Sequence, residues 1–377
     1  MSGIYIHIPF CKQACHYCDF HFSTVLGKKE AMVAALREEL RLRKEEFKEE
    51  LVETIYFGGG TPSVLSMAEI DAIIASVYEH YRVSEAPEIT LEANPDDLTS
   101  EKVAELAASP INRLSIGVQS FHEKDLKLMN RAHDAKEAIS CIEEALRYFD
   151  NISIDLIYGI PGMDERQWRE NIERALSFQV PHISSYALTV EPKTPLANFV
   201  KKGLVTVVDD AVVQQHFLLL AEMLEEAGYD NYEISNFGKP GYFSKNNTAY
   251  WQQKKYIGIG PSAHSYDGTR RGWNVNNNPK YIRAIADGMV PMEVETLSTT
   301  DKYNEYIMTG LRTIWGVSMN QISAEYGVKY ADYALDRAEK YIEDHLLYLD
   351  GDTLRATRKG LFLADGMAAD LFMVNLG

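Results

Sequence analysis

Short runs of apolar residues recur along the first 230 positions, and an amphipathic stretch follows each of them. In the first run, residues 3–8, Ile4, Ile6 and Ile8 alternate with other side chains, which is the two-residue period of a strand. The same pattern predicts further strands at residues 53–57, 88–93, 113–118, 152–158 and 182–188. Helical spacing of apolar residues predicts helices at residues 28–50, 66–81, 100–108, 135–149, 165–179 and 209–227.

Six strand-then-helix units in a row predict a parallel sheet with right-handed crossovers. Because eight such units close a full barrel, the expected fold class is α/β, with a partial (β/α)6 TIM-like barrel over residues 1–235 and a doubly wound sheet as the alternative. Asn, Gly, Tyr and Trp then become frequent, which predicts that residues 236–296 form a loop-rich segment covering the barrel mouth. Residues 297–377 predict a small C-terminal helical, winged-helix-like domain with a hairpin that turns at Asp350–Gly351.

The charge balance argues against one class of partner. The 377 residues include 38 Lys and Arg against 55 Asp and Glu, a formal net charge of −17. Phosphate contacts need clustered basic residues, and even the winged-helix-like segment holds 12 acidic residues against 8 basic ones, so no nucleic-acid partner is expected. The N-terminus lacks the features of a secretory signal, and no window reaches the roughly 18 apolar residues of a membrane span. The expected location is therefore the cytoplasm, where thiols stay reduced.

Three of the four cysteines fall within eight residues. Cys11, Cys15 and Cys18 form a C-x3-C-x2-C pattern directly after the first strand, at the end where parallel α/β folds place their sites. Three thiolates on one loop can hold three irons of a 4Fe–4S cluster and leave the fourth iron open. A zinc site completed by one of the nearby histidines is the alternative. Cys141 stands alone in a helical pattern, where a thiol usually packs as a small apolar group.

Further motifs in order along the chain resemble the radical S-adenosylmethionine (radical SAM) superfamily. Within it the chain is similar to the group that contains oxygen-independent coproporphyrinogen III oxidase and the heme chaperone HemW. The motifs are YIHIPFCKQACHYCDF (5–20), YFGGGTP (56–62), LEANP (91–95), IGVQSF (116–121), MNRAH (129–133), IDLIYGIPG (154–162), SSYALTVEP (184–192) and GIGPSAHS (258–265).

This resemblance implies a 4Fe–4S cluster on the three cysteines, with SAM chelated to the open iron and cleaved by one electron to release a 5′-deoxyadenosyl radical. The cofactors carry the hard chemistry, while the protein positions them and excludes water. The resemblance assigns the cofactor-binding residues by position. Tyr5 and Tyr17 flank the cluster and nucleotide; Gly59, Gly60 and Thr61 form the SAM loop; Glu92 takes the ribose or methionine; Gln119, Arg131 and Asp155 take polar groups of SAM or of a second SAM; Ala187 and Ala263–His264 complete the pocket wall.

Three features favour the HemW type over the oxidase type. The oxidase type has a further cysteine where this chain has Phe20, and a long extension before its first strand, whereas here the strand begins at residue 3. HemW proteins carry an H-N-x-x-Y-W motif associated with heme, and this chain has Asn246 in place of the histidine, followed by the matching Tyr250 and Trp251. An amide is a poor ligand for heme iron, so another residue must ligate, or heme is held by packing on Tyr250 and Trp251.

His264 is the candidate heme ligand, with a hydrogen-bonded pocket histidine as its alternative interpretation. The expected function is accordingly heme binding and delivery to an apo-haemoprotein. The alternative is decarboxylation of coproporphyrinogen III to protoporphyrinogen IX. The resemblance further implies an electron donor such as a flavodoxin or ferredoxin, and it leaves the oligomeric state open, with a homodimer among the options.

Overall fold

Six parallel strands in sequential order form the centre of the molecule. The computed structural model describes residues 2–374. The six strands are β1 (Ser2–Ile8), β2 (Val52–Gly59), β3 (Val83–Ala93), β4 (Arg113–Gln119), β5 (Ile152–Tyr158) and β6 (His182–Ala187). The helices that follow them are α1 (Lys29–Leu42), α2 (Met67–His80), α3 (Ser100–Ala107), α4 (Glu123–Met129), α5 (Ala135–Ala145), α6 (Glu165–Ser177), α7 (Pro195–Lys201) and α8 (Asp210–Glu226). The predicted six β/α units are confirmed.

The sequential strand order explains why the sheet curls into a partial barrel. With right-handed crossovers and no reversal of order, every helix packs on the same face of the sheet. That face carries the apolar positions of the strands, such as Ile4, Ile6 and Leu91, which are fully buried in the main core. The opposite, inner face carries polar residues in register, among them Tyr5 beside Tyr56, and Glu92 beside Ser115. A polar inner face suits a site for charged ligands.

Residues 236–296, predicted to be a loop-rich segment, contain five short strands and two helices. Short strands extend the sheet at both edges, in the order β12-β11-β10-β9-β1 on one side and β6-β8-β7 on the other. The elements are β7 (Asp230–Glu233), β8 (Asn236–Gly238), α9 (Lys245–Trp251), β9 (Tyr256–Ile259), β10 (His264–Tyr266), β11 (Arg270–Asn274), α10 (Asn278–Ala286) and β12 (Met292–Thr296). Glycine here marks close approach between strands, since a Cβ on Gly258 would lie 2.0 Å from the backbone oxygen of His264.

The C-terminal part has an apolar core of its own. It contains α11 (Thr299–Leu311), β13 (Val317–Ser318), α12 (Met319–Glu325), α13 (Val328–Glu343), β14 (Leu347–Asp350), β15 (Thr353–Ala356), α14 (Arg358–Phe362) and α15 (Ala364–Leu371). The predicted hairpin is present, but its turn lies one residue later, because Asp350 pairs with Thr353 and leaves Gly351 and Asp352 between the strands. Residues 375–377 of the predicted domain lie outside the described residues.

The predicted helix at residues 28–50 ends earlier, at Leu42, and a short 3-10 turn, Lys44–Phe47, follows it. Just beyond this end, the buried guanidinium of Arg43 donates to the backbone oxygen of Gly258 (2.8 Å) and the hydroxyl of Ser265 (3.1 Å). Within residues 2–374, no helix combines the length and apolarity required to cross a bilayer.

Candidate functional site

The three clustered cysteines lie on the loop that leaves the C-terminal end of β1. All three thiols are free and half-buried. The backbone N–H of Cys11 donates to Ser23 (3.1 Å), and that of Cys18 donates to the carbonyl of Cys15 (3.4 Å). Burial raises the pKa of Cys11 and raises that of Cys18 to about 11, so both thiols are protonated at neutral pH until a metal displaces the proton.

The end of α4 holds the far side of this cysteine loop. Asn130 has a left-handed backbone (φ 57°), which turns its amide toward the loop and lets it donate to the carbonyl of Ala14 (2.8 Å). In return, the amide of Gln13 donates to the carbonyl of Asn130 (2.9 Å). The His16 N–H donates to Met129 (3.0 Å). These contacts link residues more than a hundred positions apart and orient the loop over the barrel mouth.

The glycine-rich turn after β2 packs against the start of the same loop. The N–H of Gly60 donates to Ile8 (2.9 Å), and the N–H of Thr61 donates to Phe10 (2.7 Å). A Cβ on Gly60 would lie 2.6–2.9 Å from backbone atoms of these two residues, so only glycine allows the approach. The Thr61 hydroxyl points to the Cys11 sulfur (3.4 Å).

One half-buried arginine connects the cysteine loop to two neighbouring strands. The guanidinium of Arg131 donates to the Cys15 sulfur and the Tyr17 hydroxyl (both 3.4 Å). It also donates to the side-chain oxygen of Asn94 (2.7 Å) and the backbone oxygen of Gly117 (2.8 Å). Its Nε is buried without a hydrogen-bond partner among the described residues. This fixed positive charge lies beside the sulfur atoms and can stabilise thiolates or a carboxylate at the mouth.

Two carboxylates lie on the inner face below the mouth. Glu92 accepts from the Tyr56 hydroxyl (2.8 Å) and the N–H of Gly59 (3.3 Å), while Asp155 accepts from the Ser115 hydroxyl (3.1 Å). Burial raises the pKa of Glu92 to about 7, with the charge of Asp155 adding to the shift. Burial likewise raises the pKa of Asp155 to about 6. Both groups can therefore change protonation near neutral pH.

The remaining predicted site residues divide into two groups. Tyr5 stacks on Tyr56 with ring centroids 6.1 Å apart, Gln119 ends β4 in a left-handed conformation (φ 68°), and Ala187 ends β6, so all three lie on the barrel strands. His264 lies on β10, two strands beyond β1. It is exposed, and its ring lies 6.3 Å from that of Trp273. The hydrogen-bonded pocket histidine is not what the structure contains.

The histidines of the zinc alternative have other partners. His16 Nδ1 bonds to the carbonyl of Leu128 (2.8 Å), His7 Nε2 to the carbonyl of His21 (2.9 Å), and His21 Nε2 to the Asn278 side chain (2.7 Å). Among residues 2–374, no three His, Cys, Asp or Glu side chains are grouped to hold a single metal ion.

Sequence reasoning missed the polar residues that support the carboxylates. The hydroxyl of Ser153 lies 3.4 Å from Asp155 and 3.1 Å from the hydroxyl of Ser184, which donates to Asn236 (2.6 Å). The amide of Asn236 in turn donates to the buried Glu233. The sequence pattern of β5 and β6 could have indicated these residues. Their inner positions are polar, whereas a strand that is buried on both faces is apolar at nearly every position.

Comparisons with known proteins identify two matching families along the chain. The radical SAM superfamily matches residues 5–175, and the HemN C-terminal domain matches residues 297–363. The heme chaperone HemW of Lactococcus lactis is 33% identical over 97% of this chain and 96% of its own. The Bacillus subtilis protein of the same name is 35% identical over 87% of each chain.

A solved structure shows the same fold. Coproporphyrinogen III oxidase (HemN) of Escherichia coli superposes with a TM-score of 0.86 at 21% identity, over 99% of this chain and 90% of that one. This agreement confirms the partial barrel with its C-terminal domain. Together with the HemW relatives, which match over nearly the full chain, it leads to one conclusion: this chain belongs to the HemW family of radical SAM proteins.

Proposed function

We propose that this protein holds a 4Fe–4S cluster and SAM at the barrel mouth, binds heme, and passes it to an apo-haemoprotein. The observation that carries the proposal is the similarity to heme chaperone HemW over 97% of the chain, at a mouth built from three free cysteines. Membership of the radical SAM superfamily implies the cluster and SAM. An electron donor of the flavodoxin or ferredoxin type, a cytoplasmic location and a division of the chain near residues 235 and 297 belong to the same proposal.

The residues at the mouth fit a cluster with one open iron. Cys11, Cys15 and Cys18 supply three soft ligands from one loop, and Arg131 compensates the negative charge of the sulfur atoms. Gly59 and Gly60 present backbone without side chains beside that loop, as a closely approaching ligand requires. When bound, the cluster supplies the electron that cleaves SAM reductively.

The inner-face residues would hold the polar groups of SAM. Glu92 is turned toward the mouth by Tyr56 and the N–H of Gly59, and it can accept from ribose hydroxyls. Asp155 and Gln119 lie on the neighbouring strands, where they can bind an amino or carboxylate group. Because these side chains hang from strands and not from loops, their positions are held by the sheet.

Heme cannot be ligated at the position of the motif histidine. Asn246 is 3% exposed, and its side-chain oxygen accepts from Thr54 (3.3 Å). Asn246 belongs to α9, and the first N–H of this helix, that of Lys245, donates to the carboxylate of Glu88 (2.9 Å). Thr54 is the third residue of β2 and pairs in register with Glu88, whereas the cysteines follow the C-terminal end of β1, so this helix packs toward the end of the barrel remote from the cysteines. Heme must therefore bind through other residues.

Heme titration of the reconstituted protein tests the proposal. Purified protein, with and without its cluster, is titrated with heme, and the Soret band and the transfer to apomyoglobin are measured. We expect binding and transfer. Absence of heme binding in both states would refute the chaperone function, and turnover of coproporphyrinogen III under anaerobic reduction would favour the oxidase instead.

Matched cysteine variants test the metal centre separately. Replacing Cys11, Cys15 and Cys18 by alanine is expected to abolish iron uptake and the visible absorption that dithionite bleaches. Cys141→Ala is the control, because this thiol is buried in α5 and packs in the main core. A colourless wild-type protein loaded with zinc, when isolated anaerobically, would contradict the cluster assignment.

A further inference from the structure

The inner face of the barrel continues beyond β1 onto the sheet extension. In the parallel pairing of β1 with β9, Gly3 lies opposite Tyr256 and Tyr5 lies opposite Gly258. Residues paired in register point to the same side of a sheet, so Tyr256 and Gly258 face the same way as Tyr5. The extension and the candidate SAM pocket therefore share one continuous surface.

The next two strands add aromatic side chains to this surface. Tyr266 pairs with Tyr256 and with Arg271, and His264 pairs with Trp273. Tyr256, Tyr266, Arg271 and Trp273 are half-buried, and His264 is exposed. We call the residues Tyr256, His264, Tyr266, Arg271 and Trp273 the aromatic face.

The other side of the extension is covered. Its residues alternate with those of the aromatic face, and they are buried against α1. Ser265 accepts from Arg43 (3.1 Å), and the Asn274 amide donates to Glu39 (2.7 Å). The extension is thus fixed from behind. On the aromatic face, Arg271 pairs with Glu305 of α11 and Tyr256 contacts Tyr250 of α9, so His264 and Trp273 form the part that is left for another contact.

One strand, β9, separates the aromatic face from Tyr5. Gly258 of β9 lies between Tyr5 on β1 and His264 on β10. Neighbouring strands are about 4.8 Å apart, so two steps separate Tyr5 from His264 by about 10 Å. On this side of Gly258 the His264 backbone is in direct contact, since a Cβ there would lie 2.0 Å from the His264 oxygen, so a macrocycle would have to lie over His264 and Trp273 and not over Gly258.

His264 differs from most histidines of the chain in having an available imidazole. Seven of the ten are hydrogen-bonded or ion-paired through the ring, and an eighth, His216, accepts from the N–H of Gly159. Among the described residues, only His264 and His345 are exposed without such a partner. Partial desolvation by its neighbours and the charge of Arg271 lower the pKa of His264, which favours the neutral imidazole that binds iron.

We propose that heme binds on the aromatic face, with His264 as its axial ligand and its macrocycle against Trp273 and Tyr266. This inference rests on the proposed heme function and assigns it a site. Side chains stand roughly perpendicular to a sheet, so His264 points its ring at a macrocycle lying over the strands. Arg271 has five N–H donors, of which one nitrogen pairs with Glu305 (2.5 Å), and the others remain to bind a propionate. The site lies next to the SAM pocket but does not overlap the cysteines.

Spectroscopic heme titration of His264→Ala, with His345→Ala as matched control, tests the site. Both histidines are exposed, so neither change is expected to alter the fold. We expect His264→Ala to bind heme about tenfold more weakly and to lose the spectrum of an imidazole-ligated iron, which added imidazole restores. His345→Ala is expected to behave as wild type. Trp273→Leu should weaken binding but keep the imidazole spectrum, because it removes a packing surface and not the ligand.

The outcomes separate this inference from the proposed function. If wild type binds heme and His264→Ala keeps both its affinity and its spectrum, the aromatic face is not the site, while the chaperone function stands. An equal loss in His345→Ala would also overturn the assignment. If wild type itself binds no heme, the proposed function fails, whereas iron uptake by the three cysteines would be unaffected.

Discussion

Substitution of Gly60 by alanine should separate the cysteine loop from the glycine-rich turn. A Cβ at this position would lie 2.6 Å from the Phe10 oxygen, 2.8 Å from the Ile8 oxygen and 2.9 Å from the Phe10 nitrogen. All three are backbone atoms, so no side-chain rotation can relieve the contacts. The two segments must therefore move apart, although two hydrogen bonds of 2.7–2.9 Å hold them together.

The size of the effect follows from these contacts. Overpacking of a tightly packed site costs about 1–3 kcal/mol, and a lengthened backbone hydrogen bond adds about 1 kcal/mol. We expect Gly60→Ala to lower the free energy of unfolding by about 2–4 kcal/mol. The displacement also moves Cys11, which follows Phe10 directly, so iron bound per chain after reconstitution should fall.

Gly27→Ala is the matched control, because nothing lies within 4 Å of a Cβ at that position and its φ is not in the left-handed region. Urea denaturation measures the stability of both variants, and iron analysis measures cluster assembly. The control should stay within about 1 kcal/mol of wild type, on the stabilising side. If Gly60→Ala matched Gly27→Ala in both measurements, the argument from close backbone approach would be wrong.

Three further predictions follow from buried or half-buried charged groups. Arg131→Met should reduce iron retention and lower the free energy of unfolding by about 3–5 kcal/mol, because it leaves the Asn94 side chain and the Gly117 backbone oxygen without their donor. A variant that retains iron like wild type in anaerobic dialysis would contradict the role of this charge. Arg43→Met should lower the free energy of unfolding, measured by urea denaturation, by about 3–5 kcal/mol, because it breaks a buried ion pair with Glu39. Arg41→Met, two residues earlier in α1, removes an exposed pair and should lower it by at most about 1 kcal/mol. Equal losses in the two variants would refute the distinction. Burial raises the pKa of Glu92 to about 7 in the folded protein, so the folded state holds its proton more tightly than the unfolded chain, and the stability from this group is fully present below about pH 4.5 and is lost as pH rises through 7. Glu92→Gln in cluster-free protein should therefore make the fall of stability between pH 5 and 7.5 shallower, and an unchanged slope would show that the carboxyl is not buried as described.

Local pattern was sufficient for the six barrel units. The two-residue period in β1 and the capping box of Ser66 with Glu69 at the start of α2 depend only on neighbours in sequence, and both are present in the structure. The C-x3-C-x2-C spacing likewise brings three thiols onto one loop without help from the rest of the chain. Such features are determined by residues within one or two turns of each other.

Short strands were not predictable in the same way. β9 and β10 have four and three residues, too few for a period to be distinguished, and their glycines resemble turn residues until a partner strand is beside them. The helix that ends at Leu42 was misjudged for a related reason. Arg43, which directly follows the end of this helix, bonds to Gly258 and Ser265, and these partners lie more than two hundred positions away.

The sequence by itself determined the strand and helix order, the three-cysteine loop and the family, because these depend on local periodicity and on spacings of a few residues. Tertiary structure alone decided that Arg131 reaches Cys15 across 116 positions, that Asn246 is buried at the far end of the barrel, and that His264 stands on an exposed aromatic face. The physical reason is strand register. Pairing of β1 with β9 sets which side chains share a face, and no property of either strand taken alone specifies that pairing.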